Sequence, residues 1–434
     1  MKKSLLVRLI GAALALALVG VACGGGDAAG DGGTDTGAQE GTEGTEGTED
    51  SSMDAEESAT GVDTGAAKLR QTLTDLLDSH VYLAGIAVEQ AVLTEDPNSP
   101  QFKAAAATLD QNSQDLASAI ESIYGAEAAD AFLEQWREHI GFFVDYTIGG
   151  ITNNRKAQQK AAQDLAQYED DFGVFLSEAT GGELPADGAA EALQMHVDSL
   201  VAAVDSVLAG DPQVFEQLYA AAHEHMPMTA AALAGAIAVQ MPEEFDGDPN
   251  SSASELQSGL TDLLNSHVFL AGIAVEQAVL TEDPNSSQFK AAAGALDQNS
   301  QDLAAAIESL YGPEAGDAFL EQWREHIGFF VDYTVGGITK DRKVQQKAVQ
   351  DLAQYEDDFG AFLSEATGGE LEAGAASEAL QMHVDSLVAA VDSVIGGDAK
   401  AFDQLYAAAK EHMPMTASAL AGAIVEQNPD QFAE

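Results

Sequence analysis

Residues 69–240 align without a gap to residues 256–427 at a constant offset of 187, with about four positions in five identical. A tandem duplication of this kind restricts the chain to two similar units of roughly 170 to 180 residues, each long enough to build a core of its own. Positions that differ show what one copy does without. His223 is replaced by Lys410, whereas His80, His139, His196 and His225 recur as His267, His326, His383 and His412.

Within a copy every segment has the three-to-four-residue apolar step of a helix, and none has the period-two alternation of a strand. Leu69, Leu73, Leu76, His80, Leu83 and Ala87 form one stripe; Phe132, Trp136, His139, Phe143 and Tyr146 form another; Leu193, His196, Leu200, Val204 and Val207 a third. Helices over about 101–124 and 156–179 separate them, and a last one from about Pro212 carries Leu218, Ala222, His225 and Leu233. Stop signals stand at Glu95-Asp96-Pro97-Asn98, Gly149-Gly150, Asn153-Asn154, Gly181-Gly182 and Gly210-Asp211-Pro212. The expected fold is all-α: two tandem antiparallel helical-bundle domains, each of about six helices arranged as three hairpins. Pro227, inside the last helix, is expected to kink it.

The N-terminus reads as a lipoprotein-type signal peptide over residues 1–23. Lys2, Lys3 and Arg8 precede an apolar run that ends at Cys23, the only cysteine of the chain and the expected lipidation site. Residues 24–66, mostly Gly, Thr, Asp, Glu and Ser with almost nothing apolar, cannot bury enough surface to fold and read as a disordered acidic tether. Copy 1 then spans 67–242, a linker 243–254 and copy 2 255–434. Together these features predict an extracytoplasmic protein held at a membrane by its N-terminal lipid, on the cell surface or in a periplasm. The formal net charge of −54 argues against nucleic acid as a partner. No protein partner is indicated.

The chemistry lies in the histidines. A lone imidazole on an apolar stripe is more often a hydrogen-bonded core residue than a ligand. Four per copy, however, need four sets of buried partners, which one metal ion supplies at once. Helices joined by short loops bring mid-helix positions to one level, so His80, His139, His196 and His225 are placed to converge, as are His267, His326, His383 and His412. The runs His225-Met226-Pro227-Met228 and His412-Met413-Pro414-Met415 add Met226, Met228, Met413 and Met415 as thioether ligands. Met195 reads as core filler. Thioethers beside imidazoles favour copper, with zinc or iron as alternatives. No core histidine has a Glu three positions before it, which disfavours a carboxylate-bridged di-iron centre. Hydrolase and nucleotide motifs are absent from the sequence, and no catalytic residue is assigned.

The runs Gln135-Trp136-Arg137-Glu138-His139-Ile140-Gly141-Phe142-Phe143-Val144-Asp145-Tyr146, Gln194-Met195-His196-Val197-Asp198 and His225-Met226-Pro227-Met228 resemble those of secreted bacterial helical proteins labelled copper amine oxidase-like. The resemblance covers both copies and implies copper binding. True copper amine oxidases are β-rich and form a quinone from a tyrosine in Asn-Tyr-Asp/Glu. Here Tyr168 lies in Gln-Tyr-Glu, Tyr146 in Asp-Tyr-Thr, and no tyrosine follows an asparagine.

These readings converge on copper binding, storage or delivery. The alternatives are a metal-free acidic helical spacer or interaction module and, less in keeping with the residues, a copper-dependent oxidoreductase.

Overall fold

A computed structural model describes residues 61–96, 99–283 and 285–433; the expected signal peptide, Cys23 and the expected tether up to residue 60 lie outside them. Every long element among the described residues is a helix, and none is a strand. In copy 1 these are α1 (Gly65–Thr94), α2 (Pro100–Tyr124), α3 (Ala126–Ile151), α4 (Arg155–Ala179) and α5 (Ala186–Ala209). A last helix follows in two parts, α6 (Val214–Ala220) and α7 (Met226–Gln240). Copy 2 repeats the order with α8 (Ser252–Thr281), α9 (Ser287–Tyr311), α10 (Pro313–Thr339), α11 (Arg342–Ala366), α12 (Ala373–Gly396) and α13 (Ala401–Gln427). Folding starts slightly before the composition suggests: a 3-10 turn over Gly61–Asp63 buries Val62, and α1 begins at Gly65.

Local chemistry sets the ends. Thr64, Ser99, Asn154 and Ser251 each cap a helix by accepting a hydrogen bond from a main-chain N–H of the first turn, at 3.1–3.2 Å. Gly210 and Gly397 close α5 and α12 in the left-handed conformation. Gly149-Gly150 does not stop α3, which runs on to Ile151. These glycines serve close packing instead, since a Cβ on Gly150 would stand 2.2 Å from Leu208 Cδ1 and one on Gly149 2.7 Å from Gln158 Cγ. The expected break near Pro227 takes the form of a π-helical turn over Ala221–His225. In copy 2, α13 passes through Pro414 unbroken.

Successive helices pack as neighbours, and α1 sits at the centre of copy 1 against α2, α5 and α7. Its fourth side is covered by α8, the equivalent helix of copy 2. For this reason 20 of its 30 residues are buried, polar ones included. Across the α1–α8 seam Tyr82 and Phe269 stack at 5.1 Å, the Tyr82 hydroxyl donates to Ser266 Oγ at 3.0 Å, and Asn265 Nδ2 donates to the Asp75 carbonyl at 3.1 Å. The seam is approximately twofold. Gln90 donates to Glu276 and its equivalent Gln277 to Glu89, at 2.7 and 2.8 Å. Likewise Tyr219 donates to Asp302 and Tyr406 to Asp115, at 2.6 and 2.7 Å. One hydrophobic core runs through both copies.

A chain ending at residue 246 would leave the α1 face, with Tyr82 and Asp75, uncovered. Such a fragment is expected to pair with itself or to melt well below the full chain in sedimentation and thermal scans. A monomeric fragment with the melting temperature of the full chain would contradict the shared core.

Candidate metal centre

Alternate helices of each copy carry the inward histidines: His80 on α1, His139 on α3 and His196 on α5, and in copy 2 His267, His326 and His383 on α8, α10 and α12. Because each lies on an apolar stripe, packing the stripes together drives the imidazoles to one point. All six are at most 6% exposed. Within each triad the ligand nitrogens lie within 4.8 Å of one another. His267 Nε2 and His326 Nε2 are 3.3 Å apart. Two nitrogens on one tetrahedral ion, each at about 2.0–2.1 Å, are separated by roughly that distance.

Aromatic rings fix these imidazoles in place. Trp136 meets His139 edge-on at 4.6 Å and His80 at 4.8 Å, while Tyr168 stacks on His139 at 5.0 Å. Trp323 and Tyr355 repeat the arrangement around His326, at 4.6 and 5.0 Å. Within this shell polar atoms are left without partners: both nitrogens of His196 and of His383, Nδ1 of His80, His139, His267 and His326, and the hydroxyls of Tyr168 and Tyr355. An unpartnered buried polar group costs about 1–3 kcal/mol, and this set recurs in both copies.

Burial, reinforced by the neighbouring imidazoles, keeps the rings neutral. It pushes His80 and His326 down to about 3, with His196 and His383 respectively adding to the effect. His196 and His383 fall to about 4 through burial and then the nearby His225 and His412. His139 and His267 are held well below the ordinary value, first by burial and then by the other histidines. Neutral imidazoles are the form that binds a metal.

The remaining candidates fall into three groups. His225 and His412 adjoin His196 and His383 but stand outside the two triads, each with a buried, unpartnered Nδ1. Met226 and Met413 are buried at 3%, and Met413 lines a cavity of about 130 Å³ together with His267, His383 and Trp323. Met228 and Met415, 56% and 57% exposed, and Met195, 44% exposed, lie at the surface. A helix of three or four residues per turn cannot point both methionines of Met-Pro-Met inward.

Sequence reasoning misses a buried acidic network at the seam. The Nδ1 of His223, on the π turn, meets Asp262 Oδ2 at 2.5 Å, whereas Lys410 reaches Asp115 at 2.6 Å. Asp78 is fully buried beside Asp262; burial, then Asp262 and Asp75, push its carboxyl well above the usual range. The one sequence signal for this network is the polar stripe Gln71, Asp75, Asp78 and Tyr82 on a helix whose opposite face is apolar. No known protein family, curated protein or solved structure matches the chain.

The buried triads give the metal-free protein a pH dependence of definite sign. A histidine whose folded pKa lies below its unfolded value of about 6.5 leaves the unfolded state with more bound protons, so stability falls as pH drops below 6.5. The buried carboxyls of Asp75, Asp78, Asp262 and Glu276, pushed up by burial, act in the opposite sense over the same window, so the triads' share is read as a difference: with His196 and His383 both replaced by Gln, the melting temperature should fall less, or rise more, between pH 7 and pH 5 than in the parent chain. An unchanged slope in the double variant would show that these imidazoles are not buried as neutral groups.

Proposed function

We propose that the chain is a metal-binding protein holding one ion per copy. His80, His139 and His196 are the ligands in the first copy, and His267, His326 and His383 in the second. The observation that carries this reading is the repeated triad of buried, neutral imidazoles whose ligand nitrogens lie within 4.8 Å of one another, with both nitrogens of His196 and of His383 unpartnered. Three protein nitrogens leave a tetrahedral ion one further position. His225 and His412, which adjoin His196 and His383, and the Met413 thioether on the cavity bordering His267 and His383 would be the candidates for it.

Copper is the metal we assign, with zinc and iron as poorer fits. A thioether beside imidazoles is a soft donor set, and the resemblance to copper amine oxidase-like helical proteins points the same way. The signal-like residues 1–23, Cys23 and the acidic tether support an extracytoplasmic, lipid-anchored protein that binds, stores or delivers copper at a membrane surface. Amine oxidation is not part of this reading, because no tyrosine has the sequence context of a quinone precursor.

Titration of the metal-free chain with Cu(I) is expected to saturate at two equivalents, to raise the melting temperature by binding the native state, and to quench Trp136 and Trp323, whose rings lie 4.6 Å from His139 and His326. His139→Ala combined with His326→Ala should lower the affinity at least a hundredfold while leaving a folded helical protein. Undiminished affinity in that variant would remove the assigned site. A chain that neither binds nor is quenched would be a metal-free helical spacer with structural histidines.

A further inference from the structure

We propose that the second copy contains a site for a neutral, extended aliphatic molecule, in the apolar cavity that ends on His267 and His326. The cavity measures about 370 Å³. That lies within the range of small-molecule sites, about 300–1,000 Å³. It follows α8 from His267 past Ala271, Ala274 and Ala278 to Glu282. The fifteen steps from His267 to Glu282 amount to roughly 22 Å of helix rise. The cavity is therefore long and narrow. Small side chains on the α8 stripe leave the bore open, and Phe330 and Val391 form part of the opposite wall.

The lining also selects for chemistry. Thr334 and Thr339 are the hydroxyls on the wall, and each is already bonded to a main-chain carbonyl of its own helix, Phe330 and Val335, at 2.8 and 2.7 Å. Between the imidazole end and the outer end the bore thus offers no free polar group to a charged ligand, which would lose its hydration on entry. Glu282 and Asp283 stand at the outer end and repel a carboxylate, so a fatty acid is disfavoured and a fatty alcohol is not.

Copy 1 shows what closing this space looks like. There Phe102 is 3% exposed and packs with Ala106 against Ala91, Val144 and Ile148. The cavity beside His80 and His139 shrinks to about 50 Å³. In copy 2 the equivalent Phe289 is only half-buried, Val335 replaces Ile148 and is 45% exposed, and Ser287 replaces the helix-starting Pro100. The two copies therefore share the histidines and differ in the space that reaches them.

The site stands on the cavity and does not depend on metal loading, so it is tested on the metal-free full chain. Calorimetric titration with 1-decanol is expected to saturate at one equivalent per chain, and decanoate to bind at least tenfold more weakly. Ala278→Phe, which fills the bore, should weaken decanol binding at least tenfold without changing copper stoichiometry. Val335→Trp, at a more exposed wall position, is a second blocking variant should Ala278→Phe fail to fold. Phe102→Ala should open copy 1 and raise the stoichiometry to two. Absence of saturable decanol binding, equal binding of decanoate, or indifference of binding to both blocking variants would overturn the proposal.

Discussion

The packing of α1 against α8 is the contact on which the rest of the structure depends. Each helix is the central element of its own copy, so the surface it gives to the other copy is taken from the middle of the fold rather than from its rim. Tyr82 stacked on Phe269, and Asn265 bonded to the Asp75 main chain, lie on the same helices that carry His80 and His267. The seam thereby fixes one histidine of each triad. Because α1 packs both within its own bundle and against α8, a change on it is felt in its own copy and across the seam.

With α1 and α8 held in this way, α3, α5, α10 and α12 can bring their histidines only to the buried side of the central pair. The resulting clusters are poor in hydrogen bonds and rich in aromatic packing. Burying neutral imidazoles with unpartnered nitrogens works against folding, a cost that a bound ion would offset. Met413 and His412 approach the cluster from the last helix, Met413 along the cavity it shares with His267 and His383 and His412 beside His383.

The helical architecture was legible because each helix has a clear apolar stripe, and the stripe residues His80, His139 and His196 proved to be the ones that meet. The helix ends were less legible. Gly149-Gly150 reads as a stop yet is a close-packing site, because local sequence does not reveal that Leu208 and Gln158 lie against it. The polar face of α1 was misleading for a related reason. Gln71, Asp75 and Asp78 look solvent-facing until a second copy covers them, and no period within one copy encodes that partner. Met-Pro-Met shows the limit of composition: Met226 and Met413 are buried, while Met228 and Met415 share the motif and face outward. The cavity of copy 2 arises from differences as small as Ile148 against Val335, which sequence alone gives no reason to single out.

The central claim is that the two triads are metal sites, and anomalous diffraction at the copper edge tests it most directly. Crystals of the full chain grown with copper should show two strong peaks, one among His80, His139 and His196 and one among His267, His326 and His383, each about 2 Å from imidazole nitrogens. Peaks confined to surface carboxylates, with both triads empty, would contradict it and leave the buried histidines as packing groups.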